Sequence, residues 1–474
     1  MHNTEKKNID VLFILPPYHF RNGSGLLFPL GIGSIMACLD QRSLSYEYID
    51  CTDIITTLAD NDLMVLKRTL LTKLLEYNPC LIGIGPCVTP GAKGLRVVAE
   101  CCKQVVGTER IFAGGPFATL PSQDWFFYEN LGLKYTIKGE GELAVCEAVE
   151  ALKKGHPLSS CPHVSTYGHT VINQLENLDD MPFPKRMNPE KNQYSDRRRL
   201  NGDGLTAHIV ASRGCPYHCI YCVSGNMKEI AFRRRSVANI VAEMKFLQAT
   251  YGVSDIIFYD DCFFTSAKNV HREIESFCCE LKKEKVNLTW QIEIRPDILM
   301  SITENELIIL EQHGCRQMNI GIEKTNPDGA AVFGKKYDYS QLCDCLSKMH
   351  KICKIRTSGT FILGGKAETE ASVYELIQAS TKMCLDDANY SPLFVYPDTP
   401  LYNDLFSNPK DWLPIAEKNP IGEVIYENDC LSKERLLELV TEANQAFFFN
   451  KPQQETERVN DRFRLEGGGL KANE

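Results

Sequence analysis

Twice along the chain, short apolar runs alternate with longer stretches of helical spacing, and most of the runs stop at glycine or proline. Such alternation is the pattern of parallel strands joined by crossover helices, so both blocks are predicted to be α/β. In the first block, 9–15, 46–49, 80–84, 110–113 and 135–137 read as strands. Helices are expected at 30–41, 60–77, 93–106 and 142–154. The strands run into Pro16-Pro17, Gly85-Pro86, Gly114-Gly115-Pro116 and Gly139-Glu140. Turns of this kind bring backbone amides to the C-terminal edge of the sheet, where open α/β sheets bind ligands.

Between 156 and 200 proline, serine, asparagine and charge dominate, and this reads as a linker. Alternation resumes at 207, with candidate strands at 207–212, 255–259, 288–294, 317–322, 356–363 and 389–395. Six βα units suggest a full or partial parallel barrel. The predicted plan is a Rossmann-like domain over 1–155, a linker over 156–200, a barrel over 201–405, a helical region over 406–450 and a polar, disordered tail over 451–474. The length of 474 residues suits such a division, at roughly 100–200 residues per domain.

A net charge of −9 argues against a protein that coats nucleic acid or an anionic membrane, and the run Arg233-Arg234-Arg235 is too short to reverse it. That run reads either as a solvated face or as a source of one cation for a cofactor carboxylate. No apolar stretch approaches membrane-spanning length, and residues 1–10 lack a signal peptide's apolar core, so a cytoplasmic protein is expected. Twenty cysteines in a large cytosolic chain are expected to be reduced, most of them as small buried hydrophobes.

Three of these cysteines stand apart. At the end of the second block's first strand the sequence reads Ser212-Arg213-Gly214-Cys215-Pro216-Tyr217-His218-Cys219-Ile220-Tyr221-Cys222. Thiolates spaced Cys-x3-Cys-x2-Cys on one loop can hold three corners of a cubane iron–sulfur cluster. No fourth cysteine follows at matching distance, which would leave one iron open, a catalytic rather than a structural arrangement. The competing readings are a zinc site completed by His218 and three unrelated buried thiols.

This loop resembles that of the radical S-adenosylmethionine (SAM) enzymes. The resemblance implies that Cys215, Cys219 and Cys222 bind a [4Fe–4S] cluster whose fourth iron takes SAM, with Tyr221 near the adenine. Further segments match strand by strand. Phe258-Tyr259-Asp260-Asp261-Cys262-Phe263 resembles the second-strand motif facing the methionine, which nominates Asp260 and Asp261. Gly321-Ile322-Glu323 resembles the fourth-strand motif, with Glu323 near the ribose. The fifth strand, from Gly359 to Gly364, resembles the one that leaves room for adenine. Pro397-Asp398-Thr399-Pro400-Leu401 resembles the closing Pro-Gly-Thr-Pro-Leu segment, with Asp398 in place of glycine.

The first block narrows the resemblance to the cobalamin-binding branch. Its motifs imply that Pro16, Pro17, Gly85, Gly114, Gly115, Pro116, Gly139 and Glu140 hold the corrin through backbone groups. Many cobalamin domains carry Asp-x-His-x-x-Gly; here His19 has no aspartate two residues before it, so a loop histidine is the expected reading. The resemblance implies methyl transfer to an unactivated carbon of a small molecule or peptide, through a 5′-deoxyadenosyl radical and methylcobalamin. An electron donor such as flavodoxin or ferredoxin is implied, and neither nucleic acid nor a membrane span. Two alternatives stay open: a cyclase or rearrangement enzyme without net methylation, and a non-catalytic cobalamin or cluster sensor.

Overall fold

A computed structural model of the protein describes residues 6–17, 29–55, 59–186, 205–418 and 424–449. His19, the stretch 187–204 and the tail lie outside the described residues. The described residues of 1–194, 221–231 and 395–424 form one compact unit, and those of 195–220, 232–394 and 425–474 form a second.

The first unit is built on a parallel sheet of six strands: β1 (Lys7–Leu15), β2 (Tyr46–Asp50), β3 (Tyr77–Ile84), β4 (Ile111–Gly114), β5 (Tyr135–Gly139) and β6 (Ile172–Asn173). Their order is β2-β1-β3-β4-β5-β6. Alternation along β1 explains why both faces are covered. Val11, Phe13 and Leu15 pack against Ile32, Met36 and Leu39 of helix Leu30–Gln41 and against Val145 and Val149 of helix Glu142–Lys153. Leu12 and Ile14 point the other way and are equally buried. Helices Asp60–Leu74 and Ala92–Val106 pack on each other. This is the expected doubly wound layout, and the strand order reverses between β1 and β3. Only β6 falls in the stretch read as irregular. It is two residues long, too short to show a period, and it pairs with Lys138 and Gly139 at the sheet edge.

Residues 395–424 follow the last strand of the second block in sequence but group with the first unit. Their anchor is Trp412, wholly buried with ring centroids 5.2 Å from Phe117 and 5.7 Å from Phe126. Its indole Nε1 donates to Gln123 Oε1 at 2.8 Å, so the one polar atom of the ring keeps a partner. Arg96 pairs with Glu417 at 2.6 Å.

The second unit carries six parallel strands: β7 (Leu205–Ile209), then, after the short β8 (Ser212–Arg213) and β9 (Arg233–Arg234), β10 (Val253–Phe258), β11 (Thr289–Ile294), β12 (Cys315–Glu323), β13 (Arg356–Leu363) and β14 (Asp387–Pro392). The order β14-β13-β12-β11-β10-β7 is that of a partial barrel, as the six βα repeats predict. Trp290, Ile292 and Ile294 of β11 face the helices and join a core with Phe258 and Phe277. The alternate residues, Gln291 and Glu293, face the other way. Glu293 accepts from Asn319 Nδ2 at 2.9 Å, and Asn319 accepts from Gln317 Nε2 at 2.7 Å, so the inward side of the sheet is polar. Helices start at side-chain caps such as Ser236, Asp338 and the capping box of Thr303 and Glu306. Among the described residues no helix is long and apolar enough to cross a membrane.

Candidate active site

Cys215, Cys219 and Cys222 lie on the loop between β8 and β9. Antiparallel pairing of Ser212 with Arg234 and Arg213 with Arg233 closes this loop at its base. The buried carboxylate of Asp260, just past β10, accepts the Ala211 amide at 3.0 Å and the Ser212 hydroxyl. Arg235 donates from its amide to Ala211 O at 2.9 Å and from Nη1 to Val210 O at 3.1 Å. Its guanidinium pairs with Glu243, which is 1% exposed. The guanidinium of Arg234 stacks 4.8 Å over the Phe263 ring. Arg234 and Arg235 therefore brace the base of the cysteine loop; neither is a solvated face. Only three-dimensional pairing reveals that role.

Cys219 is buried, and Cys215 and Cys222 are half-buried. Arg295, at the end of β11, donates from Nη1 to Cys219 Sγ at 3.6 Å. Among the described residues, no three His, Cys, Asp or Glu side chains are placed to hold a single metal ion. Three free thiols on one loop are a donor set whose chemistry suits a [4Fe–4S] cluster. Cys262 is a fourth buried thiol nearby; burial pushes it up to about 12, and it donates to Phe264 O at 2.9 Å.

Asp260 and Asp261 part company. Burial lifts the Asp260 carboxyl to about 6, and its oxygens are engaged at the loop base. Asp261 is exposed at the strand end. Glu323 ends β12 at φ +65°, where a non-glycine residue is strained, and the pairing with β13 shifts register there. Its carboxylate is buried and pairs with Lys335 at 3.4 Å. A Cβ on Gly321 would stand 3.0 Å from both charged groups, so the glycine leaves room for that pair. Strain and a bulge at a buried carboxylate are features of functional positions. Gly359 lies within β13 rather than at its end. A Cβ there would meet Leu385 Cδ1 at 2.7 Å and Phe361 at 3.0 Å, so its small size serves the outer core. The space beside Gly364 is bounded by Leu436, 3.1 Å from where a Cβ would be. Tyr221 is half-buried and groups with the first unit.

Arg295, Gly334, Lys335 and Ser212 were not foreseen from sequence. Arg295 carried a signal: a lone charge between the apolar Ile294 and Pro296, at the end of a strand.

In the first unit, Pro16 and Pro17 follow β1, Gly85 follows β3, Gly114, Gly115 and Pro116 close β4, and Gly139 and Glu140 close β5. All stand at the C-terminal edge, around the point where strand order reverses. The glycines are also consumed by contacts among the loops. Cys87 N donates to Gly114 O at 2.8 Å. Gly115 has φ +112°, and a Cβ on it would reach Cys87 N at 2.6 Å. Gly139 has φ +74° and abuts Asn173 O. Glu140 accepts the Leu175 amide at 2.6 Å. The individual glycines are explained by loop packing.

Residues 209–379 match the model of the radical SAM superfamily. An uncharacterized methyltransferase of Pyrococcus horikoshii is 24% identical over 384 residues, 79% of each chain. Among solved structures, the radical SAM methyltransferase TsrM from Kitasatospora setae, with cobalamin and a [4Fe–4S] cluster bound, superposes with a TM-score of 0.60 at 19% identity, over 87% of this chain and 75% of that one. The cobalamin-dependent SAM radical enzyme OxsB, with aqua-cobalamin bound, superposes with a TM-score of 0.66 at 14% identity, over 96% of this chain and 75% of that one. Residues 209–379 are therefore similar to the radical SAM superfamily, and the chain as a whole shares the fold of TsrM and OxsB.

Proposed function

We propose that the protein is a cobalamin-dependent radical SAM enzyme that methylates an unactivated carbon of a small-molecule or peptide substrate. The observation that carries this reading is the loop of Cys215, Cys219 and Cys222 at the C-terminal side of a six-stranded parallel barrel, in a chain that also folds a doubly wound sheet. When bound, the cluster and SAM supply a 5′-deoxyadenosyl radical and cobalamin supplies a transferable methyl group.

The chain's own residues have separable tasks. The three cysteines hold the cluster, and Asp260, Arg234 and Arg235 fix the base of their loop. Glu323, strained and buried beside Lys335, is the carboxylate we assign to the ribose. Asp261, exposed at the strand end, is assigned to the methionine end, and Tyr221 is assigned to the adenine. The turns after β1, β3, β4 and β5 are assigned to the corrin. The polar inward residues Gln291, Glu293, Gln317 and Asn319 suit a substrate with hydrogen-bonding groups. A flavodoxin or ferredoxin would supply the electron, and twenty free thiols suit the reducing cytoplasm.

Anaerobic incubation with SAM, a low-potential reductant and candidate substrates tests the reaction. Methyl transfer yields both 5′-deoxyadenosine and S-adenosylhomocysteine, with a product heavier by one methylene. Deoxyadenosine without S-adenosylhomocysteine or added mass would favour cyclisation or rearrangement instead.

A further inference from the structure

Arg295 is 6% exposed, and every edge of its guanidinium is occupied. Nη1 donates to Cys219 Sγ at 3.6 Å, Nη2 donates to Gly334 O at 3.2 Å, and Nε donates to Asp297 Oδ1 at 3.0 Å. The flat face lies 3.8 Å from the centre of the Tyr217 ring. Gly334 in turn sits at φ +74° with its α-carbon turned toward Cys219; a Cβ would stand 3.2 Å from the Cys219 α-carbon. One segment therefore presses on the backbone of Cys219 and holds the arginine that grips its sulfur.

Burying a cation is costly unless anions face it. Asp297 supplies one carboxylate, itself partly exposed. The Gly334 carbonyl and the sulfur of Cys219 are further acceptors within bonding distance. Lysine would suit the site poorly, because only a planar fork reaches sulfur, carbonyl and carboxylate together while stacking on a ring.

We propose that Arg295 is a positioning residue for Cys219 and that its N–H···S bond raises the reduction potential of the cluster held there. The inference rests on the cluster reading above. Reduction adds one electron, delivered by an external low-potential donor, and so one negative charge to the cluster. A fixed cation and donor on a ligand sulfur stabilise the reduced form more than the oxidised one.

The test uses the full chain, reconstituted anaerobically, as wild type, Arg295→Gln and Arg295→Lys. Iron is counted, and the cluster is titrated against potential by electron paramagnetic resonance. All three are expected to load about four iron. At a fixed potential the reduced-to-oxidised ratio should fall about tenfold in Arg295→Gln, equivalent to about 59 mV for one electron. Arg295→Lys, which keeps the charge, should recover part of the loss. A loaded Arg295→Gln cluster at the wild-type potential overturns the proposal. Should Arg295→Gln load no cluster, alkylation of Cys219 in the apoprotein decides, mapped by mass spectrometry with the exposed Cys279 as internal reference. Several-fold faster labelling than in wild type supports the positioning role, and equal labelling overturns it. A wild-type chain without a cluster overturns the functional reading itself, an outcome distinct from either.

Discussion

Asp398 sits in the left-handed region at φ +63°, and one of its carboxylate oxygens accepts the amide N–H of Ser122 from 3.2 Å. Its neighbours Pro397, Thr399 and Pro400 resemble a segment that has glycine at this position. The conformation that glycine permits is retained, because aspartate tolerates it better than most residues and here gains a hydrogen bond. Asp398→Ala keeps the strain and loses the bond, and should destabilise the first unit by about 2 kcal/mol. Asp398→Gly loses the bond but relieves the strain, and should cost less than about 1 kcal/mol. Urea unfolding of the two variants beside wild type checks the order.

The ion pair of Arg235 and Glu243 is nearly dry, with side-chain exposures of 10% and 1%. Glu243→Gln removes one charge and leaves the arginine buried without it. The expected cost is about 3 kcal/mol. Because Arg235 also braces Ala211 and Val210, cluster loading should fall with stability. Denaturant midpoints and iron content, read on the same preparations, test both halves.

Burial raises the Asp260 carboxyl from 3.8 to about 6, outweighing the hydrogen bonds from Ser212 and Ala211 that favour its charged form. A carboxyl raised on folding binds its proton more tightly in the folded state. Its stabilising share is complete below 3.8 and is lost as pH climbs to about 6. The stability of wild type relative to Asp260→Asn should therefore decline across that window and level off above about pH 7. Unfolding curves at several pH values would show it; a difference that rises with pH would contradict the burial argument.

Much of this architecture was legible in sequence, because a two-sided parallel strand must be apolar throughout and its turn must break the run. Val11 to Leu15 and Leu81 to Ile84 are plain on that ground. The cysteine spacing was legible because the three thiols sit on one loop. Roles that depend on distant partners were not. Trp412 could not announce that it packs on Phe117, nor Arg295 that it meets Cys219. Gly359 illustrates the opposite difficulty. Its motif pointed to an adenine, while the direction of its missing Cβ points to Leu385 and Phe361.

The most direct test of the central claim is cofactor content after anaerobic expression with cobalamin supplied, measured as iron, sulfide and corrin per chain. A variant carrying Cys215→Ala, Cys219→Ala and Cys222→Ala together is measured alongside. The account predicts about four iron and about one corrin in wild type. The triple variant should lose the iron and keep the corrin. A chain that binds a cluster but no corrin would contradict the methylcobalamin mechanism, and one that keeps its iron without the three cysteines would contradict the site itself.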